Sequence, residues 1–192
     1  MKVILAERAG TCFGVKRSLD LIEQAFKQGK RVLMSGELIH NPQVIQKLIA
    51  QGAEIIENAD EAQNAIVLIR AHGVPPKDII ELSKNNNLII DATCPFVSMV
   101  QKKAQQLEQE GYQVIIVGEK DHPEVIGIKG HTEKGIVIEN SSEIKALEKK
   151  LLVKQQSDDK IINDLFLPRL GKIGLVSQTT QSEENLANCA QE

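Results

Sequence analysis

The chain of 192 residues has no tryptophan, one tyrosine and four phenylalanines, so its core has to be built from isoleucine, leucine, valine and alanine. Its three cysteines, Cys12, Cys94 and Cys189, contain no Cys-x-x-Cys pair. That removes the usual zinc-ribbon and thioredoxin patterns and argues against a disulfide framework. No apolar run approaches the roughly 20 residues that cross a bilayer. The start, Met1-Lys2-Val3-Ile4-Leu5-Ala6-Glu7-Arg8, meets charge too early for a secretory signal. The expectation is a cytoplasmic protein with no membrane partner. A large charge excess is missing as well: the formal net charge of -3 gives no support for nucleic acid as a partner. An anionic ligand would have to be held by local groups.

What is present is a regular alternation of short apolar runs with helical patterns. The runs are Val3–Leu5, Val32–Met34, Glu54–Ile56, Ala65–Ile69, Leu88–Ile90, Gln113–Val117, Ile136–Ile138 and Ile173–Val176. They read as strands of parallel sheets covered by helices on both faces. Val15, Leu19, Ile22 and Phe26 recur at helical spacing and predict one buried helix face. Asn41-Pro42 reads as an N-cap and first helical residue, opening a helix through Gln51 with Gly52 as its stop. A further helix is expected from Val97 to Glu110. The fold class is therefore α/β: two similar small domains, each a short, mostly parallel sheet flanked by helices. The boundary falls near Val97, dividing residues 1–97 from residues 98–192. Lys149–Leu170, charged and nearly without apolar pattern, reads as a surface excursion. No sequence repeat is evident.

Four loops carry both turn residues and chemistry: Gly10-Thr11-Cys12-Phe13-Gly14-Val15, Arg70-Ala71-His72-Gly73-Val74-Pro75, Asp91-Ala92-Thr93-Cys94-Pro95 and Asp121-His122-Pro123-Glu124-Val125. Each follows an apolar run, which in an open α/β sheet puts it at the carboxyl ends of strands, where ligands bind. Cys12 and Cys94 lie beside Gly or Pro rather than within apolar helix faces. A thiolate at a helix N-terminus is favoured by the dipole, which suits metal ligation or nucleophilic chemistry. The bland alternative is a small buried hydrophobe, and Cys189, in a helix-like tail after Leu186, takes that reading. His40, His72 and His122 sit at loop-to-helix junctions, where imidazoles and free backbone N–H groups make a competent phosphate site. His131 has a less distinctive context and is expected to face solvent. Glu124 belongs to the first turn of a helix, either as a capping carboxylate or as a proton donor.

Taken together, Asp91-Ala92-Thr93-Cys94-Pro95, His122-Pro123-Glu124-Val125 and Ser177-Gln178-Thr179-Thr180 resemble the motifs of the 4-hydroxy-3-methylbut-2-enyl diphosphate reductase (LytB/IspH) family. They occur in that family's order, from Met1 to the end of the chain. The resemblance implies a reductive dehydroxylation that gives isopentenyl and dimethylallyl diphosphate, the last step of the methylerythritol phosphate route to isoprenoids. It implies a 4Fe–4S cluster held by three cysteines, with Cys12 and Cys94 as two of its ligands and one iron open to a substrate oxygen. It also implies diphosphate binding by His40, His72 and His122, proton supply by Glu124, and positioning of the substrate hydroxyl by Thr179. A ferredoxin or flavodoxin is the implied electron donor. The family pattern continues to a third cluster cysteine and a third domain, neither of which is recognisable in these residues. Cys189 follows Thr179 too closely to be that third cysteine. The expectation is a truncated or partial reductase.

Two other classes fit part of the pattern. One is a diphosphate-binding module that keeps the histidines without the cluster. The other is a hydrolase using Cys12 or Cys94 as nucleophile, or zinc on Cys and His, for which no orienting Asp or Asn is identifiable.

Overall fold

Every paired strand among the described residues is parallel, and that follows from the short apolar runs and the helices that separate them. The computed structural model describes residues 3–4, 10–146 and 172–192. Its residues fall into two compact units, one within Met1–Gly73 and Asp78–Pro95, the other within Val74–Lys77 and Phe96–Glu192.

The first unit contains α1 (Phe13–Phe26), β1 (Val32–Ser35), α2 (Pro42–Ala50), β2 (Ala53–Ile56), β3 (Ile66–Ile69), the larger part of α3 (Pro76–Ser83) and β4 (Leu88–Asp91). Its sheet has the order β2-β1-β3-β4, with Val32 beside both Ala53 and Ile66 and Ile69 beside Asp91. Residues Ile66–Ile69 of the interior strand β3 are all buried, whereas the edge strands expose Ile55 and Leu88. Ile22, Met34, Leu38, Ile45 and Leu68 form the centre of this core. Each such side chain contributes about 1.5–3 kcal/mol by leaving water.

The second unit contains most of α4 (Pro95–Gln109), then β5 (Gln113–Val117), α5 (Pro123–Gly130), β6 (Ile136–Ile138), β7 (Ile173–Ser177) and α6 (Glu183–Gln191). Its sheet order is β6-β5-β7, which repeats the β2-β1-β3 arrangement of the first unit. The repeat is topological and leaves no trace in residue identity, because packing preserves only apolar character and turn position.

Local signals explain the helix starts. Asn41 caps α2, its Oδ1 accepting from Val44 N at 3.1 Å, with Pro42 in the first turn. Gly52 follows α2 at φ +103°, a conformation that favours glycine. Ser182 Oγ caps α6 by accepting from Asn185 N at 3.2 Å.

Several expectations are corrected. The buried stripe of α1 is Gly14, Ser18, Ile22 and Ala25, with Val15, Leu19 and Phe26 only half-buried at its margins. Small residues occupy the stripe because the helix lies close to the backbone of the Asp91–Cys94 loop. The helix expected from Val97 to Glu110 begins at Pro95. Helix α3, opened by Pro75-Pro76, was not anticipated. Val3 and Ile4 are exposed and not in a strand; Leu5 and the Lys149–Leu170 excursion lie outside the described residues. No helix among those residues is long and apolar enough to cross a membrane.

Candidate functional site

In the first sheet the chain runs from β1 out to β2, then returns across β1 to reach β3. Strand order therefore reverses between β1 and β3, and loops leaving their carboxyl ends diverge to open a crevice. The loop after β1 carries His40 and the loop after β3 carries His72. Their ring centroids are 4.2 Å apart with planes inclined at 40°. The backbone continues the ladder beyond the strands: Ala71 N donates to Leu38 O at 3.0 Å and Cys94 N donates to Ala71 O at 2.8 Å. The His40, His72 and Cys94 loops are thus fixed to one another through peptide groups, and His40 directly precedes the cap of α2. Imidazoles beside a helix N-terminus present ring and backbone donors to an anion.

Cys12 is the N-cap residue of α1 and is exposed, while Cys94 is half-buried just before α4. Within the first unit the two loops meet. A Cβ added to Gly14 would lie 2.7 Å from Cys94 Sγ, so that sulfur rests against the backbone two residues beyond Cys12. Three side chains hold the contact. The Arg17 guanidinium donates to Asp91 O at 3.0 Å and Thr93 O at 3.2 Å. The fully buried Ser18 hydroxyl is shared between Gly14 O at 3.0 Å and Ala92 O at 3.1 Å. Asp91 Oδ1 accepts from Thr93 N at 2.9 Å and from Thr93 Oγ1 at 2.5 Å, closing the turn that presents Cys94.

The second sheet reverses order between β5 and β7, and the loops at that switch point carry His122, Glu124 and Thr179. Glu124, 2% exposed, accepts from Thr179 N at 2.6 Å and from Thr179 Oγ1 at 3.0 Å. His122 caps α5: its Nδ1 accepts from Glu124 N at 3.1 Å. A backbone N–H can only donate, so Nδ1 carries no proton and the neutral ring holds its proton on Nε2. His122 is therefore fixed as an Nε2–H donor. A buried carboxyl in contact with a hydroxyl can exchange a proton with a bound hydroxylated ligand.

Gln178 belongs to the Ser177-Gln178-Thr179-Thr180 motif, and the structure gives it a role that the motif does not announce. Its backbone N donates to Val117 O at 2.9 Å, its Oε1 accepts from Glu119 N at 3.1 Å, and its Nε2 donates to Thr180 Oγ1 at 2.7 Å. It ties the loop after β5 to the loop after β7, and the only signal for it was a polar residue directly after an apolar strand. Gly118 is required beside it, since a Cβ there would fall 2.6 Å from Val125 Cγ2 and 2.9 Å from Gln178 Cβ. Arg17 and Ser18 were also missed, being polar residues inside an amphipathic helix pattern. His131, expected to face solvent, is half-buried with Nδ1 2.8 Å from Gly127 O.

Cys189 is 3% exposed and packs with Ile115, Val117 and Ile138; burial pushes its thiol pKa up. It is a core side chain. The chain thus offers two thiols at loop positions, one short of the three that the family resemblance implies for a cluster. Among the described residues, no group of three or more His, Cys, Asp or Glu gathers as a metal site. A three-thiolate cluster therefore does not fit the residues of this chain by themselves.

Comparison with known proteins adds five findings. The LytB protein family profile matches residues 3–192. The chain is 38% identical over 193 residues to a 4-hydroxy-3-methylbut-2-enyl diphosphate reductase of Trichlorobacter lovleyi, covering 100% of this chain and 62% of that protein. It is 40% identical over 186 residues to the reductase of Dictyoglomus turgidum, covering 96% of this chain and 59% of that protein. Among solved structures it is similar to (E)-4-hydroxy-3-methyl-but-2-enyl diphosphate reductase, the terminal enzyme of the non-mevalonate pathway. The TM-score is 0.78 at 37% identity, with 98% of this chain and 62% of that one covered. The Plasmodium falciparum reductase gives a TM-score of 0.79 at 28% identity, covering 96% and 54% respectively. The chain therefore spans about three fifths of the length of its relatives.

Proposed function

Because this chain belongs to the LytB family, we propose that it binds 4-hydroxy-3-methylbut-2-enyl diphosphate and serves its reductive dehydroxylation to isopentenyl and dimethylallyl diphosphate. What supports this reading is the pairing of anion-type and proton-type groups with the two strand-order reversals. His40 and His72 share one, and His122, Glu124 and Thr179 share the other.

In this reading the three imidazoles bind the diphosphate, His122 through its Nε2–H. The Thr179 hydroxyl orients the substrate hydroxyl, and Glu124 holds the proton that the departing oxygen takes. The overall change breaks one carbon–oxygen bond, releases water, consumes two electrons and adds a proton to carbon. The electrons come from a ferredoxin or flavodoxin. Cys12 and Cys94 would supply two of a cluster's thiolates; the third has to come from outside these 192 residues, because Cys189 is committed to the core.

That shortfall favours a second reading for the chain on its own, a diphosphate-binding unit without turnover. Anaerobic purification and reconstitution, followed by iron and acid-labile sulfide analysis and calorimetric titration with the substrate, separates the two. About four irons per chain together with turnover supports the reductase. Saturable substrate binding with iron near zero supports the binding unit. Failure of the chain to bind the substrate at all removes both.

A further inference from the structure

Arg70 directly follows β3 and opens the His72 loop, yet neither the family motifs nor the site described above employs its side chain. Its guanidinium lies over Gly36, where an added Cβ would fall 3.1 Å from Nη1 and 3.6 Å from Cδ. Gly36 itself adopts φ +84°. On the other side, Arg70 Nε donates to Gly73 O at 3.4 Å, and Gly73 N returns a bond to Arg70 O at 2.9 Å. The backbone N of Arg70 donates to Ser35 Oγ at 3.4 Å. One side chain therefore spans from the loop that leads to His40 to the loop that holds His72.

We propose that Arg70 is the positioning residue of the imidazole pair, bracing the His40 and His72 loops from the Gly36 and Gly73 sides and giving this switch point its permanent positive charge. Two further observations agree with this. Burial draws the Arg70 pKa down, with the charge of Asp78 opposing the shift. Among the described residues Arg70 makes no ion pair. A half-buried cation is ordinarily compensated by an anion, and here the guanidinium has the Gly36 backbone and Gly73 O beside it, with no carboxylate in ion-pair contact. The second role rests on the anion-binding reading above; the bracing role does not.

The test uses inorganic pyrophosphate as probe, with R70Q, R70K and G36A compared with the unaltered chain. Affinity is measured by calorimetry and ring geometry by histidine ¹⁵N resonances. R70Q is expected to weaken pyrophosphate roughly ten-fold, the loss of one charge-assisted contribution. R70K keeps the charge but not the planar fork, and should recover only part of the affinity. All three variants should move the His40 and His72 resonances while leaving His122 and His131 in place. G36A disturbs the guanidinium without changing charge, so it decides the matter if R70Q does not fold. Affinities within about twofold of the unaltered chain, with unmoved His40 and His72 resonances, overturn the proposal. If the unaltered chain binds no pyrophosphate, the anion-binding reading and the charge role fail together, and the resonances alone decide the bracing.

Discussion

Glu124 receives two hydrogen bonds from a single residue, Thr179, one from its backbone N at 2.6 Å and one from its hydroxyl at 3.0 Å. The residues are 55 positions apart and belong to loops after different strands. The pair therefore joins two loops across a strand-order reversal, and it gives a buried carboxylate its partners.

Removing either half should be felt in stability as well as function. T179A deletes only the hydroxyl donor and should cost about 1–2 kcal/mol, while E124Q removes the charge to which both bonds are made and turns the hydroxyl from donor to acceptor, and should cost about 1.5–3 kcal/mol. Urea unfolding of both variants measures this. A T179A midpoint equal to that of the unaltered protein would mean that the hydroxyl contributes nothing to holding the carboxylate.

His122 has two separable duties, and one substitution distinguishes them. As a cap, its Nδ1 accepts the Glu124 N–H, a task asparagine performs well at helix starts. H122A should lose about 1 kcal/mol of stability, whereas H122N should remain close to the unaltered protein. Both should weaken diphosphate binding, because neither offers an Nε2–H. Equal stability of H122A and H122N would show that the ring nitrogen is not acting as a cap.

The legible part of this protein is what apolar pattern and turn residues encode. The β3 and β5 runs, the Asn41-Pro42 helix start and the His72, Cys94 and His122 loops as exits from strands could be read, because each depends on local composition. The Cys12 loop, expected to follow a strand at Val3–Leu5, has no strand before it among the described residues. What could not be read depends on close approach. The α1 stripe of Gly14 and Ser18 is small and partly polar, so a hydrophobic template favours Val15 and Leu19; only the proximity of Cys94 and Ala92 explains it. Gln178 and Arg17 escaped for the same reason, since the contacts that tie them across the fold are to backbone groups remote in sequence, Val117 O and Glu119 N for Gln178 and Asp91 O and Thr93 O for Arg17. The reversal of strand order that brings His40 to His72 is also a pairing property, which no single run of residues announces.

Cys189 predicts an alkaline loss of stability. Burial raises its pKa in the folded protein, so the folded state keeps a proton that the unfolded state releases once pH exceeds the ordinary thiol value of about 8.5. The stability linked to this group is complete below that value and is lost as pH rises through the folded-state pKa. Stability measured from pH 7.5 upward should therefore fall more steeply for the unaltered protein than for C189A, even though C189A starts lower because of its smaller side chain. Parallel pH profiles would show that the thiol is not protected in the folded state.

The contact between Gly14 and Cys94 predicts a change in thiol chemistry from a substitution that carries no chemistry itself. A Cβ at position 14 would lie 2.7 Å from Cys94 Sγ and 3.3 Å from Cys94 Cβ, closer than nonbonded atoms tolerate, so either α1 or the Cys94 side chain has to move. Helix α1 is held in place by Arg17 and Ser18 on the Asp91–Cys94 loop and by Ile22 in the core. The side chain has fewer restraints and should yield. In G14A the half-buried Cys94 thiol is pushed outward, and its alkylation rate should rise severalfold relative to Cys12, which is already exposed. Peptide mapping after timed alkylation reads both rates in one sample, and overpacking should also cost about 1–3 kcal/mol. An unchanged ratio of the two rates, with the stability loss present, would mean that the helix moves and carries Cys12 with it. An unchanged ratio at unchanged stability would mean that the two loops do not meet as described.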